Sequence, residues 1–311
     1  MDNNRIIGVH DDGEHGALLL VTTGLHGNEP AGEKAVNTVL RLLREEKIKN
    51  KAFVFYGQVV GLVGNIAAKA KKKRYIDTDM NRIWDFERVK YIDTTPENRL
   101  LSEEREAKAL LHTIRDLVAK YQPARIFLLD LHTTTAEGGI FTIVPRAEES
   151  ERIGATLYAP VVMGFDALLQ GTLMTYFNGS FEGLPTVTLT FESGQHDDDE
   201  SVTNAVSAII NMMRAVGSVK PEDVEDKHDL RLRERAALLP RKAELLYRHI
   251  VRAGDGFKMR PNYLNFQAVK AKEILASDRK GDIKAAEDAL ILMPLYQKQG
   301  NDGFFLVKEV K

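Results

Sequence analysis

Two short, uninterrupted apolar runs frame an amphipathic segment near the start of the chain. The runs cover residues 17–21 and 52–56, and residues 32–46 between them repeat apolar side chains at helical spacing, with Pro30 at the expected first turn. Continuous apolar runs of this length are typical of strands buried on both faces, as in a parallel sheet. The pattern therefore predicts an α/β fold with a mostly parallel sheet flanked by helices.

Two polar side chains stand at the ends of later predicted strands. The periodicity predicts further helices over residues 101–117 and 200–216 and further strands over residues 125–130 and 185–191. The two strands lead into His132 and Glu192, just as the first strand leads toward His26. Because ligands of open α/β sheets collect beyond the carboxyl ends of the strands, we expect these side chains to lie near one another.

The pattern changes in the last quarter of the chain. Residues 218–228 are polar and charged and include a proline, which is typical of a linker. After one short helical piece, strand-like runs follow at residues 245–251, 264–269, 289–293 and 304–310. The chain has 311 residues, and a domain has about 150. We therefore predict an α/β domain over residues 1–228 and a smaller β-rich domain over residues 229–311.

Charge and composition exclude several classes of function. The formal net charge is −2 and the basic residues are dispersed apart from residues 69–74, so neither nucleic acid nor a membrane is an expected partner. The chain has no cysteine, which rules out disulfides, thiolate zinc sites and cysteine nucleophiles. Residues 1–5 do not resemble a signal peptide, and no run of about 18 apolar residues occurs. We expect a soluble cytoplasmic protein, for which a homo-oligomer is compatible with these observations.

A histidine and a glutamate stand three residues apart where the first strand turns into the first helix. These are His26 and Glu29, and His132 at the later strand end supplies a second imidazole. Two imidazoles and one carboxylate suit Zn²⁺ and leave a position for water. Asp130 is a candidate partner for a ligand imidazole, or a buried structural acid. Without His132, the first pair is equally compatible with a surface turn whose glutamate caps the helix.

A second polar segment places two guanidinium groups on either side of an amide. Arg74, Asn81 and Arg82 lie within nine residues of one another. Arginine is a planar, permanently charged fork that suits carboxylates and developing oxyanions. Beside a metal this segment would be an anion clamp; otherwise it would be a solvated loop with local ion pairs to Asp77 and Asp79.

Taken in order, these motifs resemble the aspartoacylase and succinylglutamate desuccinylase family, which is related to the zinc carboxypeptidases. The matching segments are G-x-H-G-N-E at 24–29, G-N at 64–65, R-Y-I-D-x-D-x-N-R at 74–82, D-L-H-T-T at 130–134, and the later strand-end Glu192. The resemblance covers residues 17–195. It implies a zinc-carboxypeptidase-like, mostly parallel mixed sheet flanked by helices, and a smaller β-rich C-terminal domain that partly covers the active site.

The resemblance also implies a metal site and a catalytic carboxylate. One Zn²⁺ per chain would be held by His26, Glu29 and His132. Glu192 would be the base that acts on a zinc-bound water, and Arg74 would polarise the scissile carbonyl. The implied activity is that of a zinc-dependent amidohydrolase that cleaves the amide bond of an N-acyl amino acid or a similar small acylated amine.

Three further residues would contact the substrate in this scheme. Asn81 and Arg82 would hold the carboxylate of the amino acid. Tyr296 would match a tyrosine that family members contribute from the C-terminal domain, although a tyrosine at a strand end is also commonly a packing residue.

The chain departs from the family just before the catalytic glutamate. Aspartoacylases carry a further arginine there, whereas Glu182 stands near that position in this sequence and residues 153–213 contain no lysine or arginine. A dianionic acyl-amino acid would meet little positive charge in this region. We therefore expect a neutral acyl group, or a substrate with a cationic amine, in place of an aspartate-type or succinyl-type substrate.

Three alternatives share parts of this pattern. A metallocarboxypeptidase that acts on peptides would use the same chemistry with a larger pocket. Two histidines and one carboxylate also form the Fe(II) site of non-haem oxygenases. The third alternative is a non-catalytic zinc-binding protein, which would need neither Glu192 nor an open coordination position.

Overall fold

Strands and helices alternate through the first three quarters of the chain, and strands dominate the rest. The structure is a computed structural model that describes residues 5–310, so residues 1–4 of the segment compared with a signal peptide lie outside the described part. The earlier elements are β1 (Ile6–Asp11), β2 (Glu14–Thr23), α1 (Ala31–Lys49), β3 (Tyr56–Val63), α2 (Ile66–Ala70), α3 (Phe86–Thr94), α4 (Ser102–Tyr121), β4 (Ile126–Thr134), β5 (Phe141–Ile143), α5 (Glu148–Ala155), β6 (Val161–Met163), α6 (Phe165–Leu168), α7 (Leu173–Phe177), β7 (Gly179–Phe181), β8 (Leu184–Gln195), α8 (Asp199–Ala215) and α9 (Lys227–Ala236). The later elements are β9 (Lys242–Ile250), β10 (Lys258–Met259), β11 (Gln267–Val269), β12 (Ile274–Asp278), β13 (Gly281–Lys284), β14 (Ala289–Leu292) and β15 (Asp302–Glu309).

One mixed sheet joins most of these strands. Its order is β1-β3-β2-β4-β8-β5-β6-β9-β15-β14-β11, with β7 paired to β8 beside this path. At its centre β3, β2, β4 and β8 run parallel, whereas β1 and β5 join them in antiparallel pairs. Strands β10, β12 and β13 form a small separate sheet. The predicted fold class is thus confirmed: a large, mostly parallel central sheet with helices, followed by a β-rich C-terminal region.

The first apolar run is buried on both faces, as its composition predicts. Leu19 and Val21 belong to the core beneath α1 and α8, whereas Leu18 and Leu20 belong to the core beneath α3, α4 and α7. This division follows from the two-residue period of a strand, which sends successive side chains to opposite faces. Each such side chain contributes about 1.5–3 kcal/mol through its removal from water.

The prediction of a strand at residues 52–56 was wrong except for its last residue. Strand β3 begins at Tyr56, while Phe53 and Phe55 are buried from a non-strand segment that precedes it. The apolar character of residues 52–56 therefore indicates burial and not strand pairing. The actual strand contains Gly57, Gln58 and Gly61, so it does not read as a continuous apolar run.

The C-terminal strands extend the central sheet. β6 pairs with β9 in parallel, and β9 then pairs with β15. Predicted strands at residues 245–251, 289–293 and 304–310 correspond to β9, β14 and β15, but the run at 264–269 forms only the three residues of β11. The backbone there turns at Phe266, where φ is 63°, a value unsuited to a strand. Helix α9 begins inside the expected linker, and the domain division at residue 228 stays a prediction.

Helices that cross a bilayer need about 20 predominantly apolar residues. Across residues 5–310, no helix of this chain combines the length and the apolar character needed to cross a membrane.

Candidate active site

Two imidazoles and one carboxylate converge at the carboxyl ends of β2 and β4. Nδ1 of His26 lies 2.8 Å from Oε1 of Glu29, and Nδ1 of His132 lies 3.1 Å from Oε2 of the same carboxylate. One ligand atom from each of the three residues lies within 4.8 Å of the others, and all three side chains are buried. The backbone N–H of Thr133 donates to Glu29 Oε2 at 3.0 Å and so fixes the orientation of the carboxylate.

Each imidazole is also held from behind by an aspartate. Nε2 of His132 lies 2.8 Å from Asp130, which confirms the predicted contact between these two residues. Nε2 of His26 lies 3.1 Å from Asp79, a buried acid that the sequence suggested only as a local ion-pair partner. A carboxylate behind a histidine fixes the ring and its tautomer and leaves the other nitrogen free to bind a metal.

The charges of this cluster favour a bound cation. Three carboxylates and the guanidinium of Arg74 surround two imidazoles, so the cluster has an excess of two negative charges while both rings are neutral, and a divalent cation between them would balance it. Burial disfavours the charged form of His132, but Asp130 and Glu29 outweigh it and hold the pKa of this imidazole well above its ordinary value. If each Nε2 donates to its aspartate, both Nδ1 lone pairs face the Glu29 carboxylate. The donor set therefore fits a divalent metal ion such as Zn²⁺.

A close backbone contact explains the glycine between His26 and Glu29. A Cβ on Gly27 would lie 2.2 Å from the backbone of Ala68 and Lys69 in α2, closer than any real contact. The N–H of Gly27 also donates to the carbonyl of Arg74 at 3.2 Å. The loop that carries His26 is thus packed directly against the start of the arginine segment.

Glu192 lies next to His132 across two parallel strands. The register of β4 and β8 pairs these two residues, and both line the same cavity. The glutamate is 6% exposed, and among residues 5–310 its Oε2 has no hydrogen-bond partner. Burial, together with the charges of Glu29 and Asp130, raises the pKa of Glu192 to about 8 although His132 acts against the shift. Such a carboxyl group is suited to proton transfer near neutral pH.

The arginine segment is not a solvated loop, because a buried glutamate anchors it. Glu103, in the first turn of α4, accepts backbone N–H groups from Ile76 at 2.6 Å, Asp77 at 2.9 Å and Thr78 at 3.1 Å. No sequence pattern identifies this role, since a glutamate in the first turn of a helix is ordinarily explained by the helix dipole.

Arg74 lies beside the cluster formed by His26, Glu29 and His132. Its Nε and Nη2 donate to Oδ2 of Asp79 at 3.2 Å and 2.9 Å, and its Nη1 lies 3.8 Å from Glu29 Oε1. Asp79 therefore contacts both this guanidinium and His26, and one carboxylate positions both side chains.

Asn81 and Arg82 also line the cavity, but both have partners within the chain. Oδ1 of Asn81 accepts the backbone N–H of Leu173 at 2.8 Å. The guanidinium of Arg82 pairs with Asp302, at the start of β15, and Oδ1 of that aspartate accepts a hydrogen bond from Arg248 Nε at 2.6 Å. Neither Asp302 nor Arg248 was identified from the sequence, because both come from distant strands with no motif around them.

Two sequence-based assignments differ from the structure. The hydroxyl of Tyr296 accepts the N–H of Tyr263 at 2.8 Å and donates to the carbonyl of Arg260 at 3.0 Å, so it packs within the C-terminal region and does not line the cavity formed by residues 5–310. Glu182 lies in the turn between β7 and β8 and pairs with Arg115 at 2.7 Å on the surface. It does not line the cavity formed by residues 5–310.

His196 also lines the cavity. It is partly buried, and its Nδ1 lies 2.7 Å from Oγ1 of Thr133. Seven of the eight predicted site residues line one cavity with it, namely His26, Glu29, Arg74, Asn81, Arg82, His132 and Glu192. The convergence of His26, His132 and Glu192 follows from the arrangement of strand ends that the sequence predicts.

Comparisons with known proteins agree with this arrangement. Residues 15–216 match the family model described as succinylglutamate desuccinylase/aspartoacylase catalytic domain. The chain is 26% identical over 186 residues to a succinylglutamate desuccinylase of Pseudomonas fluorescens, covering 58% of this chain and 52% of that protein. It is 31% identical over 135 residues to a probable aspartoacylase of Acaryochloris marina, covering 42% and 39%. These matches span about half the length of the relatives, or less.

A solved structure shares the fold. It is that of a succinylglutamate desuccinylase from Vibrio cholerae, with a TM-score of 0.66, 18% identity, and coverage of 95% of this chain and 82% of that one. At this level of identity the likeness concerns the fold alone.

Proposed function

This chain belongs to the succinylglutamate desuccinylase/aspartoacylase family, a family of deacylases, and from that premise we propose that it is a zinc-dependent amidohydrolase. Its substrate would be an N-acyl amino acid or a similar small acylated amine, and hydrolysis would release the amine and a carboxylic acid. We propose residues 1–228 as the catalytic domain and residues 229–311 as a domain that partly covers the site.

One observation carries this proposal. The metal-binding cluster of His26, Glu29 and His132 and the unpartnered oxygen of Glu192 lie in the same cavity, with Glu192 and His132 adjacent across paired strands. A structural zinc site needs no neighbouring base and is closed by a fourth protein ligand. An amidohydrolase needs three ligands, an open position and a base beside it.

When bound to His26, Glu29 and His132, a zinc ion would supply Lewis acidity, which lowers the pKa of water and polarises a carbonyl oxygen. Glu192 accepts the proton of the attacking water as the bond from oxygen to the carbonyl carbon forms. It returns this proton to the amide nitrogen as the carbon–nitrogen bond breaks. In the metal-free protein burial raises the pKa of Glu192 to about 8, and the positive charge of a bound cation would lower it, so that the group is ionised when it accepts the proton and can still release it near neutral pH.

The arginine segment stabilises and orients the substrate. Arg74, fixed by Asp79, donates from its remaining nitrogen to the oxyanion that develops on the carbonyl oxygen, an interaction commonly worth about 3–4 kcal/mol. The amide oxygen of Asn81 is already used, so its NH₂ group is available to a substrate acceptor. Arg82 attracts a substrate carboxylate.

The direct test is release of a free amine from N-acyl amino acids by the zinc-loaded protein. We expect turnover by the wild type and a loss of at least roughly a hundredfold in Glu192→Gln with the zinc content unchanged. Full activity in that variant would refute the assignment.

Three different results would identify the three alternatives to this proposal. Faster cleavage of short peptides than of N-acyl amino acids would identify a carboxypeptidase. Iron in the purified protein together with oxygen uptake would identify an oxygenase, and bound zinc without turnover of any amide would identify a non-catalytic binding protein.

A further inference from the structure

One wall of the cavity is apolar. Its side chains come from β5, from α6 and the residue after it, from α7, from the segment after β14 and from β15, and they are Ile143, Phe165, Leu169, Met174, Met293 and Phe305. All six belong to, or pack against, the core cluster where the central sheet meets the C-terminal strands. The cavity thus opens directly onto an apolar core on this side.

The permanent cations of the cavity both have acidic partners. Within residues 5–310, the lining contains two permanently charged cations, Arg74 and Arg82, and both are on the arginine segment. Arg74 is neutralised by Asp79. A substrate carboxylate that lies on the apolar wall without reaching Arg82 would lose its hydration without gaining a charged partner.

The chain itself already supplies one carboxylate to Arg82. Asp302 lies between Arg82 and Arg248, so this group of three has one unit of positive charge in excess. Burial disfavours the ionised form of Asp302, but the two guanidinium groups outweigh it and lower the pKa of this carboxyl group. The aspartate is therefore ionised at neutral pH, and the group attracts one additional anion.

From these observations, and on the basis of the proposed function, we propose that the substrate is an amide with no more than one carboxylate and with an apolar group that lies against this wall. An N-acyl amino acid with an aliphatic or aromatic group fits this description. N-Succinylglutamate and N-acetylaspartate do not, because they carry three and two carboxylates, whereas the excess positive charge of Arg82, Asp302 and Arg248 matches only one. A favourable contact with the wall increases kcat/KM about three- to fourfold for each methylene buried.

Pairs of substrates with matched shape test the proposal with the zinc-loaded wild type. N-Acetylleucine and N-acetylaspartate differ in whether the branched end of the side chain is apolar or charged, and 4-methylpentanoyl and succinyl derivatives of glycine differ in the same way. We expect kcat/KM at least about a hundredfold higher for the apolar member of one pair or both. Equal or higher values for the charged members of both pairs would overturn the proposal and leave the deacylase function intact.

Equilibrium binding gives a result that does not depend on turnover. We expect calorimetry to detect binding of 4-methylpentanoate or leucine and to show much weaker binding of succinate or aspartate. If no amide is hydrolysed, the proposed function fails, while this measurement still decides the preference of the wall. Equal or tighter binding of the charged ligands, or binding of neither type, would overturn the proposal.

A substitution in the wall provides a second test. Leu169, which is 7% exposed at the end of α6, can be replaced by arginine, with Leu169→Gln as the uncharged control. We expect both variants to lose activity toward the apolar substrates, and Leu169→Arg alone to gain at least about tenfold toward the charged ones. The same gain in both variants would contradict the proposal, and if Leu169→Arg does not fold, the wild-type binding preference decides.

Discussion

Replacement of Glu192 by glutamine should stabilise the metal-free protein while it removes activity. The glutamate is buried, and within the described part of the chain one of its oxygens has no hydrogen-bond partner. Glutamine has nearly the same size and carries no charge at any pH. In the metal-free protein it therefore removes the cost of protonating this carboxyl group on folding and leaves the packing of β4 against β8 unchanged.

The size of the effect follows from the pKa of Glu192, which burial raises from 4.5 to about 8. Between these two values the unfolded chain is ionised while the folded protein retains the proton, so stability falls as the pH rises. This linkage costs about 3 kcal/mol at pH 7 and about 1 kcal/mol at pH 5. The substitution should therefore stabilise the metal-free protein by about 3 kcal/mol at pH 7 and by about 1 kcal/mol at pH 5.

Urea denaturation of chelator-treated wild type and Glu192→Gln at pH 5, 6 and 7 measures this difference. The free energy of unfolding of the variant should exceed that of the wild type by an amount that grows with pH. Glu182→Gln is the control on the surface, and because it only removes an ion pair with Arg115 it should not be more stable than the wild type. A difference that is independent of pH, or a variant that is less stable at pH 7, would refute the assignment of a buried, mostly protonated carboxyl group.

Three other substitutions test residues that surround or support His26, Glu29 and His132. Asp130→Asn should weaken zinc binding by about 10–100-fold, measured by chelator competition, because His132 loses the carboxylate that orients it. Arg74→Lys should lower kcat/KM by roughly 10²–10³ with the zinc content unchanged, because a lysine cannot bind Asp79 through two nitrogens and still reach the oxyanion. Glu103→Ala should lower the free energy of unfolding by about 3 kcal/mol and also reduce turnover, because three backbone N–H groups lose their shared acceptor.

A different result would contradict each of these three predictions. Wild-type zinc affinity in Asp130→Asn would mean that the aspartate is only a structural acid. Wild-type kcat/KM in Arg74→Lys would remove this residue from the reaction, and an unchanged stability in Glu103→Ala would contradict its role as the anchor of the segment.

The sequence predicts those parts of the site that lie at strand ends. His132 and Glu192 follow buried apolar runs, and the pairing of parallel strands brings such ends to the same edge of a sheet. The short spacing of His26 and Glu29 then places the other two candidate metal ligands close together. Because these relations depend on local pattern and sheet geometry, they are visible without coordinates.

The residues that hold the site in place could not be predicted in the same way. Asp79 binds His26 across 53 residues of chain, and Asp302 meets Arg82 across 220 residues. No periodicity connects positions so far apart, and an acidic residue in a loop is ordinarily solvated. The apolar wall could not be predicted from the sequence either, because short elements such as β5 and α6 contribute one or two side chains each.

The measurement that tests the account most directly is the stoichiometry and affinity of zinc binding by the wild type, His26→Ala and His132→Ala after equilibrium dialysis. We predict about one tightly bound ion per wild-type chain and a loss of tight binding in both variants, whose far-UV circular dichroism should be unchanged. A wild type that binds no divalent ion, or variants that bind zinc as tightly as the wild type, would contradict the claim that His26, Glu29 and His132 form a metal site.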